Sequence, residues 1–466
     1  MKKLLFLIFV LLANASFGKI WTPTILSDNM VLQQQSEATI WGWTTATSET
    51  ITIIGSWSNV EVTAKAHQGV WSAQLPTPVA GGPYTLTIKG HEELVFSNVM
   101  IGEVWIASGQ SNMQWTPNMG LDNAQEEINK ANYPNIRFFQ VPQRKSTTPQ
   151  DDTPGEWFSC SPETMQNFSS VAYFFGRKLH KNMSVPIGLI SSNWGGTPVE
   201  VWIPEERIAA DKELSEAAKL ISEYEWWPHL PGTAYNAMIH PLLKFNIAGA
   251  IWYQGESNRA NSKSYYRSFP FLIESWRDLW KNDFPFYFAQ IAPFDYDKDK
   301  KDIKAAVVRD AQLQTMLTVP NTGMAVTNDI GNLKDIHPTN KQEVGRRLAL
   351  WALAKTYGVK DVPYSGPVYE KMEVKKGKII LTFDHADGLT MNGKALTEFQ
   401  IAGTDKKFVD AKAKIKGNKV EVYTKEVKKP VAVRFAFYDK ALPNLYNAAG
   451  LPASAFRTDD WEINID

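Results

Sequence analysis

The stretch from Val104 to Met113 constrains the fold of this 466-residue chain more than any other part of the sequence. Its first half, up to Ala107, is apolar and partly β-branched, which is typical of a buried strand. Gly109 then frees the backbone for a turn, and Ser111 follows two residues later. In an open α/β sheet, ligands bind in the crevice beyond the carboxyl ends of the strands. The pattern predicts that Ser111 lies at the edge of such a crevice, although Gly-x-Ser is also common in ordinary turns.

Changes in sequence pattern divide the rest of the chain into three parts. Residues 19–98 consist of alternating strand patterns separated by Gly and Pro turns, which predicts a small antiparallel, sandwich-like β domain. In residues 99–361, short apolar strands alternate with helical stretches, which is typical of an α/β domain with a parallel sheet and helices on both faces. Alternating strands return in residues 362–466, so we predict a second β domain there.

Several helices are expected between the strands of the central domain. They are predicted near residues 122–132, 170–182, 264–280 and 303–317. A further helix follows Pro338, where Thr339 and Gln342 have the spacing of a capping box. Residues 143–162 and 205–231 interrupt the alternation and are predicted to be loops or insertions rather than parts of the sheet. The second of them contains Trp226-Trp227, which fits either the rim of a binding cleft or packing against a neighbouring domain.

The first 18 residues have the pattern of a secretory signal peptide. Two lysines precede an apolar run, and small residues precede a plausible cleavage site before Lys19. The run is too short to anchor the chain across a bilayer. We therefore expect an exported protein, periplasmic or secreted, without a membrane span. Since the chain has one cysteine, it cannot form an internal disulfide.

Charge and aromatic content narrow the range of partners. Lys plus Arg and Asp plus Glu both number 49, so the formal net charge is zero and nothing suggests a nucleic acid partner. The 17 tryptophans fit large cores and also fit surfaces that bind sugars. The oligomeric state stays open.

A nucleophilic serine needs a nearby base, and His337 is the best placed of the seven histidines. It lies in Asp335-Ile336-His337-Pro338, between the last predicted strand and the helix after it. That position puts it at the same edge of the sheet as Ser111. Asp335 is close enough in sequence to orient the imidazole, as in a Ser-His-Asp triad. The same four residues also fit the simple start of a helix, and the sequence leaves both interpretations open.

Two further loops offer hydrogen-bond donors for the oxyanion that acyl transfer produces. The loop after the strand ending at Ile190 contains Gly195-Gly196, whose N–H groups can approach a ligand closely. The loop after the next strand contains Gln254, whose side chain could donate an N–H. Taken alone, each of these two loops also fits a tight turn between strand and helix. Because all four loops are predicted to open on one edge of the sheet, their combination favours a serine hydrolase.

These residues carry a family resemblance that covers nearly the whole chain after the signal peptide. They resemble sequence blocks of the SGNH hydrolase superfamily, and most closely those of the sialate O-acetylesterases and the related acetyl xylan esterases. The blocks are Gly109-Gln110-Ser111-Asn112, Asn193-Trp194-Gly195-Gly196-Thr197, Trp252-Tyr253-Gln254-Gly255-Glu256-Ser257-Asn258 and Asp335-Ile336-His337-Pro338. The segments Leu26–Gln33 and Ile40-Trp41-Gly42 also resemble the start of the sialate esterases.

The resemblance implies an SGNH-type, flavodoxin-like sheet with Ser111 as nucleophile and His337 as base. It implies that the oxyanion is held by the N–H of Ser111, by a glycine of the pair, which we assign to Gly196, and by Gln254, which stands where much of the superfamily has asparagine. No metal or other cofactor is implied.

One departure from the superfamily concerns the group that orients His337. The aspartate of the superfamily usually lies three residues before the histidine, where this chain has Lys334. Asp335 lies two residues before it, so a backbone carbonyl or Asp329 is an alternative partner for the imidazole.

The predicted function is a secreted esterase that removes O-acetyl groups from sialic acids through an acetyl-serine intermediate. The alternatives are an acetyl xylan esterase or other polysaccharide deacetylase, and an inactive carbohydrate-binding protein. A peptidase is disfavoured by the order and spacing of the motifs. Trp194, Arg259 and Arg309 are candidate substrate contacts. The two arginines are included because an arginine can bind a sialate carboxylate through two N–H bonds. Both arginines also fit surface positions or salt bridges.

Overall fold

The computed structural model describes residues 18–296 and 302–465. The predicted signal peptide, residues 1–18, therefore falls almost entirely outside the described residues. Within the described residues, no helix is both long and apolar enough to cross a membrane.

Strands alone build the region that precedes the central domain. They are β1 Ile20–Trp21, β2 Val31–Gln33, β3 Glu37–Thr44, β4 Thr50–Gly55, β5 Glu61–Lys65, β6 Val70–Pro76 and β7 Gly81–Lys89. Strands β1, β3 and β6 form one antiparallel sheet, while β2, β4, β5 and β7 join the large central sheet. This arrangement agrees with the predicted absence of helices in the region.

Strands and helices alternate through the central domain, as predicted. The strands are β8 Glu93–Gly109, β9 Tyr133–Gln140, β10 Trp157–Cys160, β11 Ile187–Asn193, β12 Gly249–Tyr253, β13 Phe286–Ala289 and β14 Thr322–Ala325. The α-helices are α1 Ser111–Gln114, α2 Ala124–Asn129, α3 Pro162–Met165, α4 Ser170–Met183, α5 Glu205–Ala210, α6 Lys212–Ala218, α7 Tyr265–Trp280, α8 Lys304–Thr318 and α9 Lys341–Trp351. Short 3-10 or π helices lie at Pro117–Met119, Val199–Trp202, Tyr235–Ile239, His240–Leu242, Glu256–Ser264 and Ala352–Thr356.

One long strand joins the N-terminal β region to the central sheet. The first part of β8 pairs with β7 and β2, and its second part pairs in parallel with β11 and β12. The domain boundary predicted at residues 98 and 99 falls inside this 17-residue strand. The two regions therefore share a continuous hydrogen-bonded backbone.

The order of the central sheet places the carboxyl end of β8 at a crevice. The order is β10-β9-β11-β8-β12-β13-β14, with parallel pairing from β9 to β14. Numbered by their order in the chain, the six parallel strands β9-β11-β8-β12-β13-β14 are arranged 2-3-1-4-5-6. After β8, the chain adds β9 and β11 on one side of this strand and then β12, β13 and β14 on the other side. The crevice at such a switch point is where open parallel sheets bind ligands.

Helices cover both faces of this sheet, as predicted. On β8, Val104 and Ile106 pack into a core with side chains of α7 and α8. The alternate residues Trp105 and Ala107 pack into a second core with side chains of α4 and α9. The strand is thus apolar on both faces, which is typical of a buried parallel strand.

Two local predictions are wrong. Residues 143–162 contribute β10, which pairs antiparallel with β9 at the edge of the sheet. The expected capping box at Thr339 is absent, because the Thr339 hydroxyl donates to the Asp122 carboxylate at 2.6 Å. The cap of α9 is instead Asn340, whose side-chain oxygen accepts from the N–H of Glu343 at 3.1 Å.

The C-terminal region is built from antiparallel strands. They are β15 Val368–Lys375, β16 Lys378–Asp384, β17 Thr390–Met391, β18 Phe399–Ala402, β19 Phe408–Asp410, β20 Lys412–Lys416, β21 Lys419–Tyr423, β22 Ala432–Phe435, β23 Leu445–Tyr446 and β24 Phe456–Arg457. Two four-stranded sheets, β15-β16-β21-β20 and β19-β18-β22-β24, contribute to one core. The Asp439 carboxylate accepts from the N–H of Ala305 at 2.7 Å, which attaches this region to the start of α8.

Candidate active site

The turn after β8 presents Ser111 at the switch point. Gly109 has a φ of +132°, and a Cβ at this position would lie 2.3 Å from the carbonyl oxygen of Tyr253. Glycine is therefore required by both the dihedral angle and the close approach of β12. The next residue, Gln110, accepts a hydrogen bond from the N–H of Gly255 at 3.1 Å through its side chain. Ser111 then begins α1, so its side chain is held between strand, turn and helix.

His337 lies beside Ser111, as predicted. Its Nε2 is 2.9 Å from the Ser111 Oγ, within hydrogen-bond distance. The imidazole stacks on the indole of Trp115, with ring centroids 4.2 Å apart and an interplanar angle of 15°. Burial lowers the pKa of His337, and the ammonium group of Lys341 lowers it further. The lowered pKa favours the neutral imidazole, which is the form able to accept the serine proton.

Asp335 contacts His337 mainly through the backbone. Its Oδ1 accepts from the backbone N–H of His337 at 2.9 Å, whereas Oδ1 and the ring Nδ1 are 3.6 Å apart. The second distance is too long for a hydrogen bond, and the carboxylate is half-exposed. The alternative partner Asp329 is held by Arg347 through two hydrogen bonds of 2.6 and 2.8 Å. Of these two carboxylates, Asp335 is the one beside the imidazole.

Two backbone N–H groups of residues that line the cleft are candidate donors to an oxyanion. The N–H of Ser111 is in the first turn of α1, where N–H groups have no partner within the helix. The N–H of Gly195 donates to the side chain of Gln114 at 2.8 Å. The N–H of Gly196 donates to no residue in the described part of the chain, and Gly196 lines the cleft. Ser111 and Gly196 therefore stay the predicted donors, with no competing hydrogen bond to the N–H of Gly196 among the described residues.

The Gln254 side chain does not match its predicted role. It is fully buried, and its Nε2 donates to Asn258 Oδ1 at 2.7 Å and to the Thr197 carbonyl at 3.2 Å. Its Oε1 accepts from the Tyr265 hydroxyl at 2.8 Å. Because both amide hydrogens are used in the interior, the side chain has none left for an oxyanion. Gln254 instead joins the loop after β12 to the loop after β11.

A buried polar network behind Ser111 was not predicted. The Asn112 side chain accepts from the Lys341 ammonium group at 2.5 Å and donates to Glu256 Oε1 at 2.8 Å. It also donates to the carbonyl of Ile336, directly before His337, at 3.1 Å. Asn112 thus fixes the backbone that carries the base relative to the helix that carries the nucleophile. Burial lowers the pKa of Lys341 to about 7.

The sequence contained only part of the information needed to find this network. Asn112 and Glu256 belong to the motif blocks, although no role could be assigned to them. Nothing in the pattern around Lys341 distinguished it from an ordinary surface lysine near a helix start, yet it is 1% exposed. Trp115 was also missed, since its four-residue separation from Ser111 is not by itself a catalytic motif.

Aromatic side chains surround the cleft above Ser111, which has a volume of about 500 Å³. Trp115 and Trp194 lie at its sides, and Trp226 and Trp227 come from the inserted residues 205–231. The Trp194 indole N–H donates to the Trp226 carbonyl at 3.1 Å. Of the two interpretations of the tryptophan pair, the structure thus favours the rim of the cleft.

The two arginines predicted to bind a carboxylate are engaged elsewhere. Arg259 is paired with Asp302 and donates to Asp439 at 3.0 Å. Arg309 is 1% exposed and donates to the carbonyls of Tyr438 and Asp439. The prediction for Arg309 is wrong, because its guanidinium group attaches the C-terminal region to α8 and is closed to substrate.

In the described residues, no group of His, Cys, Asp and Glu is arranged to hold a metal ion.

Comparisons with known proteins show which family this chain belongs to. Residues 101–354, more than half of the chain, match the family described as carbohydrate esterase, sialic acid-specific acetylesterase. The sialate O-acetylesterase of Homo sapiens is 32% identical over 413 residues, which cover 81% of this chain and 79% of the human protein. The enzyme of the same name from Rattus norvegicus is 30% identical over 445 residues, with 81% of each chain covered.

A solved structure extends the similarity to nearly the whole chain. It is a carbohydrate acetylesterase from Xanthomonas citri, 37% identical, with a TM-score of 0.87, and the alignment covers 95% of this chain and all of the other. The family match over residues 101–354 and the 32% identity to the human enzyme over 81% of this chain indicate the same family. This chain belongs to the carbohydrate esterase family of sialic acid-specific acetylesterases.

Proposed function

We propose that this protein is a serine esterase that removes O-acetyl groups from carbohydrate through an acetyl-serine intermediate. The observation that carries the proposal is the 2.9 Å contact between His337 Nε2 and Ser111 Oγ at the switch point of the sheet. The strand order and the positions of the four motif loops also support an SGNH-type hydrolase fold.

In the first half of the proposed reaction, the Ser111 oxygen attacks the acetyl carbon while His337 Nε2 takes the hydroxyl proton. The N–H groups of Ser111 and Gly196 stabilise the negative charge that develops on the carbonyl oxygen. His337 then protonates the departing sugar oxygen, which leaves acetyl-Ser111. In the second half, water attacks the acetyl group, His337 accepts its proton, and acetate and free Ser111 are released.

O-acetylated sialic acid is the substrate class suggested by the names of the relatives. A second candidate is a neutral acetylated polysaccharide such as acetyl xylan. It is favoured by one observation, the engagement of Arg259 and Arg309 with carboxylate or carbonyl groups of the protein. An enzyme that binds a sialate carboxylate would gain most from an arginine free to form two parallel N–H bonds.

The mechanism is tested by Ser111→Ala and His337→Ala with 4-nitrophenyl acetate as substrate. Each substitution should lower kcat by roughly 10⁵- to 10⁶-fold, and the double variant should be little worse, because the two groups act as a unit. Ser58→Ala, in the N-terminal β region, is the matched control. Rapid quenching of the unmodified enzyme should give a peptide containing Ser111 that carries one acetyl group. A folded Ser111→Ala protein with most of its activity would disprove the assignment.

The substrate class is tested by acetate release from O-acetylated sialic acids and from acetylated xylan under the same conditions. The class with the higher kcat/KM is the natural candidate. A protein without activity on either class, but active on the aryl ester, would require a different acetylated carbohydrate.

We also propose that the chain is exported after removal of residues 1–18. This proposal rests on the pattern of positive, apolar and small residues at the start of the sequence. N-terminal sequencing of protein expressed with its full leader should find Lys19 as the first residue. Recovery of the uncleaved chain from the cytoplasm would contradict it.

A further inference from the structure

A second cavity, of about 240 Å³, lies next to the cleft that contains Ser111. The two cavities share Gly196, Trp227, Glu256 and Ser257 as lining residues. We call the second cavity the side compartment; its lining also includes Tyr224, Arg259, Ala260 and Tyr296. A water molecule takes up about 30 Å³ in the liquid, so the side compartment has room for a much larger group.

Glu256, which lines the side compartment, has one carboxylate oxygen without a hydrogen-bond partner among the described residues. Its side chain is largely buried, since the residue is 7% exposed, and its Oε1 accepts from Asn112. The other oxygen, Oε2, is buried and has no hydrogen-bond partner among the described residues. Buried polar atoms are nearly always hydrogen-bonded, so a carboxylate oxygen in this position indicates a ligand that donates hydrogen bonds.

Tyr296, a second residue of the lining, also has a polar group without a partner among the described residues. Its hydroxyl is buried, and none of the described residues forms a hydrogen bond with it. Arg259 stacks on its ring with 4.5 Å between the guanidinium carbon and the ring centroid, which fixes the phenol in place. Burial raises the pKa of Tyr296, and the charge of Glu256 raises it further. A phenol can both donate and accept a hydrogen bond.

The outer wall of the side compartment is aromatic. The rings of Tyr224 and Trp227 are 4.6 Å apart, with an interplanar angle of 32°, and both line the cavity. Aromatic rings offer a large, flat, apolar surface at a small cost in conformational entropy. The combination of a flat apolar wall with a polar floor suits a group that has C–H bonds on one side and hydroxyl groups on another.

We propose that the side compartment binds a hydroxyl-bearing part of the acetylated carbohydrate while its acetyl group lies at Ser111. The carboxylate of Glu256 accepts a hydrogen bond from one sugar hydroxyl, Tyr296 bonds to a second hydroxyl, and Trp227 packs against the C–H face. The proposal rests on the proposed function, since it assigns a binding site to the substrate of the same enzyme. The hydroxyl groups belong either to the ring of a neutral polysaccharide or to the side chain of a sialic acid.

Binding is best measured with inactive enzyme, so that chemistry and recognition are separated. The Ser111→Ala protein is titrated by calorimetry with xylotriose and, separately, with N-acetylneuraminic acid. We expect one of the two sugars to bind, and which one binds identifies the source of the hydroxyl groups. If neither sugar binds, the proposal fails.

A blocking substitution then locates the bound sugar. Ala260→Phe places a large ring in the side compartment, because Ala260 is exposed and lines this cavity. In the Ser111→Ala background, it should weaken binding of that sugar at least tenfold. Ala209→Phe is the matched control: Ala209 is also exposed and lines a separate cavity beside α5. Equal affinities in the Ala260→Phe and Ala209→Phe proteins would overturn the proposal.

Small-ester turnover keeps this result separate from the proposed function. With Ser111 intact, the control enzyme Ala209→Phe should retain its kcat on 4-nitrophenyl acetate, and the circular dichroism spectrum and Tm of the Ala260→Phe protein should match those of the unmodified enzyme, which shows that it is folded. Tyr224→Ala, which removes part of the wall without adding bulk, should weaken sugar binding by a smaller factor. If the unmodified enzyme did not cleave the aryl ester, the esterase function would fail, whereas the sugar titrations would still decide whether the side compartment binds a sugar.

Discussion

The floor of the cleft and its aromatic rim are built in opposite ways. On the floor, Ser111 and His337 are held by a network that includes Lys341, which is 1% exposed. On the rim, Trp226 is 74% exposed and lies in a loop of the inserted residues 205–231. The floor is thus attached to the sheet by buried hydrogen bonds, while Trp226 on the rim has most of its surface in solvent.

This difference separates the demands of chemistry from those of recognition. Transfer of a proton between Ser111 and His337 requires a distance maintained within a few tenths of an ångström, and buried helices and strands provide that rigidity. An exposed loop tolerates changes in sequence and adapts more readily to different sugars. We therefore expect substitutions in the floor to change kcat and those in the rim to change KM.

Asn112→Ala should have the largest effect among the residues that position the catalytic pair. It removes the link between α1 and the carbonyl before His337, and misplacement of reacting groups costs about a hundredfold in rate. The kcat on 4-nitrophenyl acetate should fall by about that factor with little change in KM. Asn118→Ala, an exposed site on the adjoining turn, is the control. An unchanged kcat in folded Asn112→Ala enzyme would show that the floor does not depend on this network.

Lys341→Met should shift the pH dependence of the floor. Removal of the ammonium charge makes the imidazolium easier to form, so the pKa of His337 rises. The acidic limb of kcat/KM should move to higher pH, with up to a tenfold loss below it. The difference should fade above about pH 7, where the Lys341 group of the parent enzyme is itself losing its proton. An acidic limb no different from that of the exposed-site control Lys334→Met would contradict this explanation.

Asp335→Asn should have a smaller effect than a full triad predicts. The carboxylate is half-exposed and 3.6 Å from the ring, and exposed ion pairs contribute at most about 1 kcal/mol. Asparagine can still accept from the backbone N–H of His337, so kcat/KM should fall less than tenfold. Because the charge of Asp335 raises the pKa of His337, the acidic limb should move to lower pH. A loss of a thousandfold or more would show that Asp335 acts as the third member of a Ser-His-Asp triad.

Trp226→Ala should have the smallest effect and should distinguish the rim from the floor. Loss of an exposed aromatic contact is expected to cost about 1 kcal/mol of binding, or roughly a fivefold rise in KM for an acetylated oligosaccharide. The kcat should change least of all the variants, and Trp226→Phe should restore most of the affinity. A fall in kcat equal to that of Asn112→Ala would show that the rim also positions the reacting groups.

Much of the fold and the catalytic pair could be predicted because the evidence for them is local in sequence. The alternation of strand and helix patterns predicted the parallel sheet, and Gly109 and Ser111 indicated the turn after β8. Since parallel strands end at one edge, the positions of loops along the chain were enough to bring His337 toward Ser111. The lengths of α4, α7 and α8 likewise follow from periodicity within each segment.

The misassigned residues share a different property: their roles depend on which segments meet in space. Gln254 has the same sequence position as an oxyanion donor, yet Asn258 and Thr197 take both of its amide hydrogens. In the sequence, Arg309 lies between the motif blocks that contain Gln254 and His337. In the structure, its guanidinium group faces carbonyls of the C-terminal region. Side-chain direction is set by packing, which no local pattern encodes.

By itself, the sequence predicted the sheet and placed Ser111 and His337 at one edge of it, because hydrophobic periodicity and turn residues act over a few positions. The tertiary structure decided how the pair is supported and what surrounds it. Asn112 and Lys341 are 229 positions apart, and their contact exists because α1 and α9 meet behind the crevice. Burial at that meeting point lowers the pKa values of Lys341 and His337, since desolvation depends on the whole surrounding fold and not on neighbouring residues in the chain.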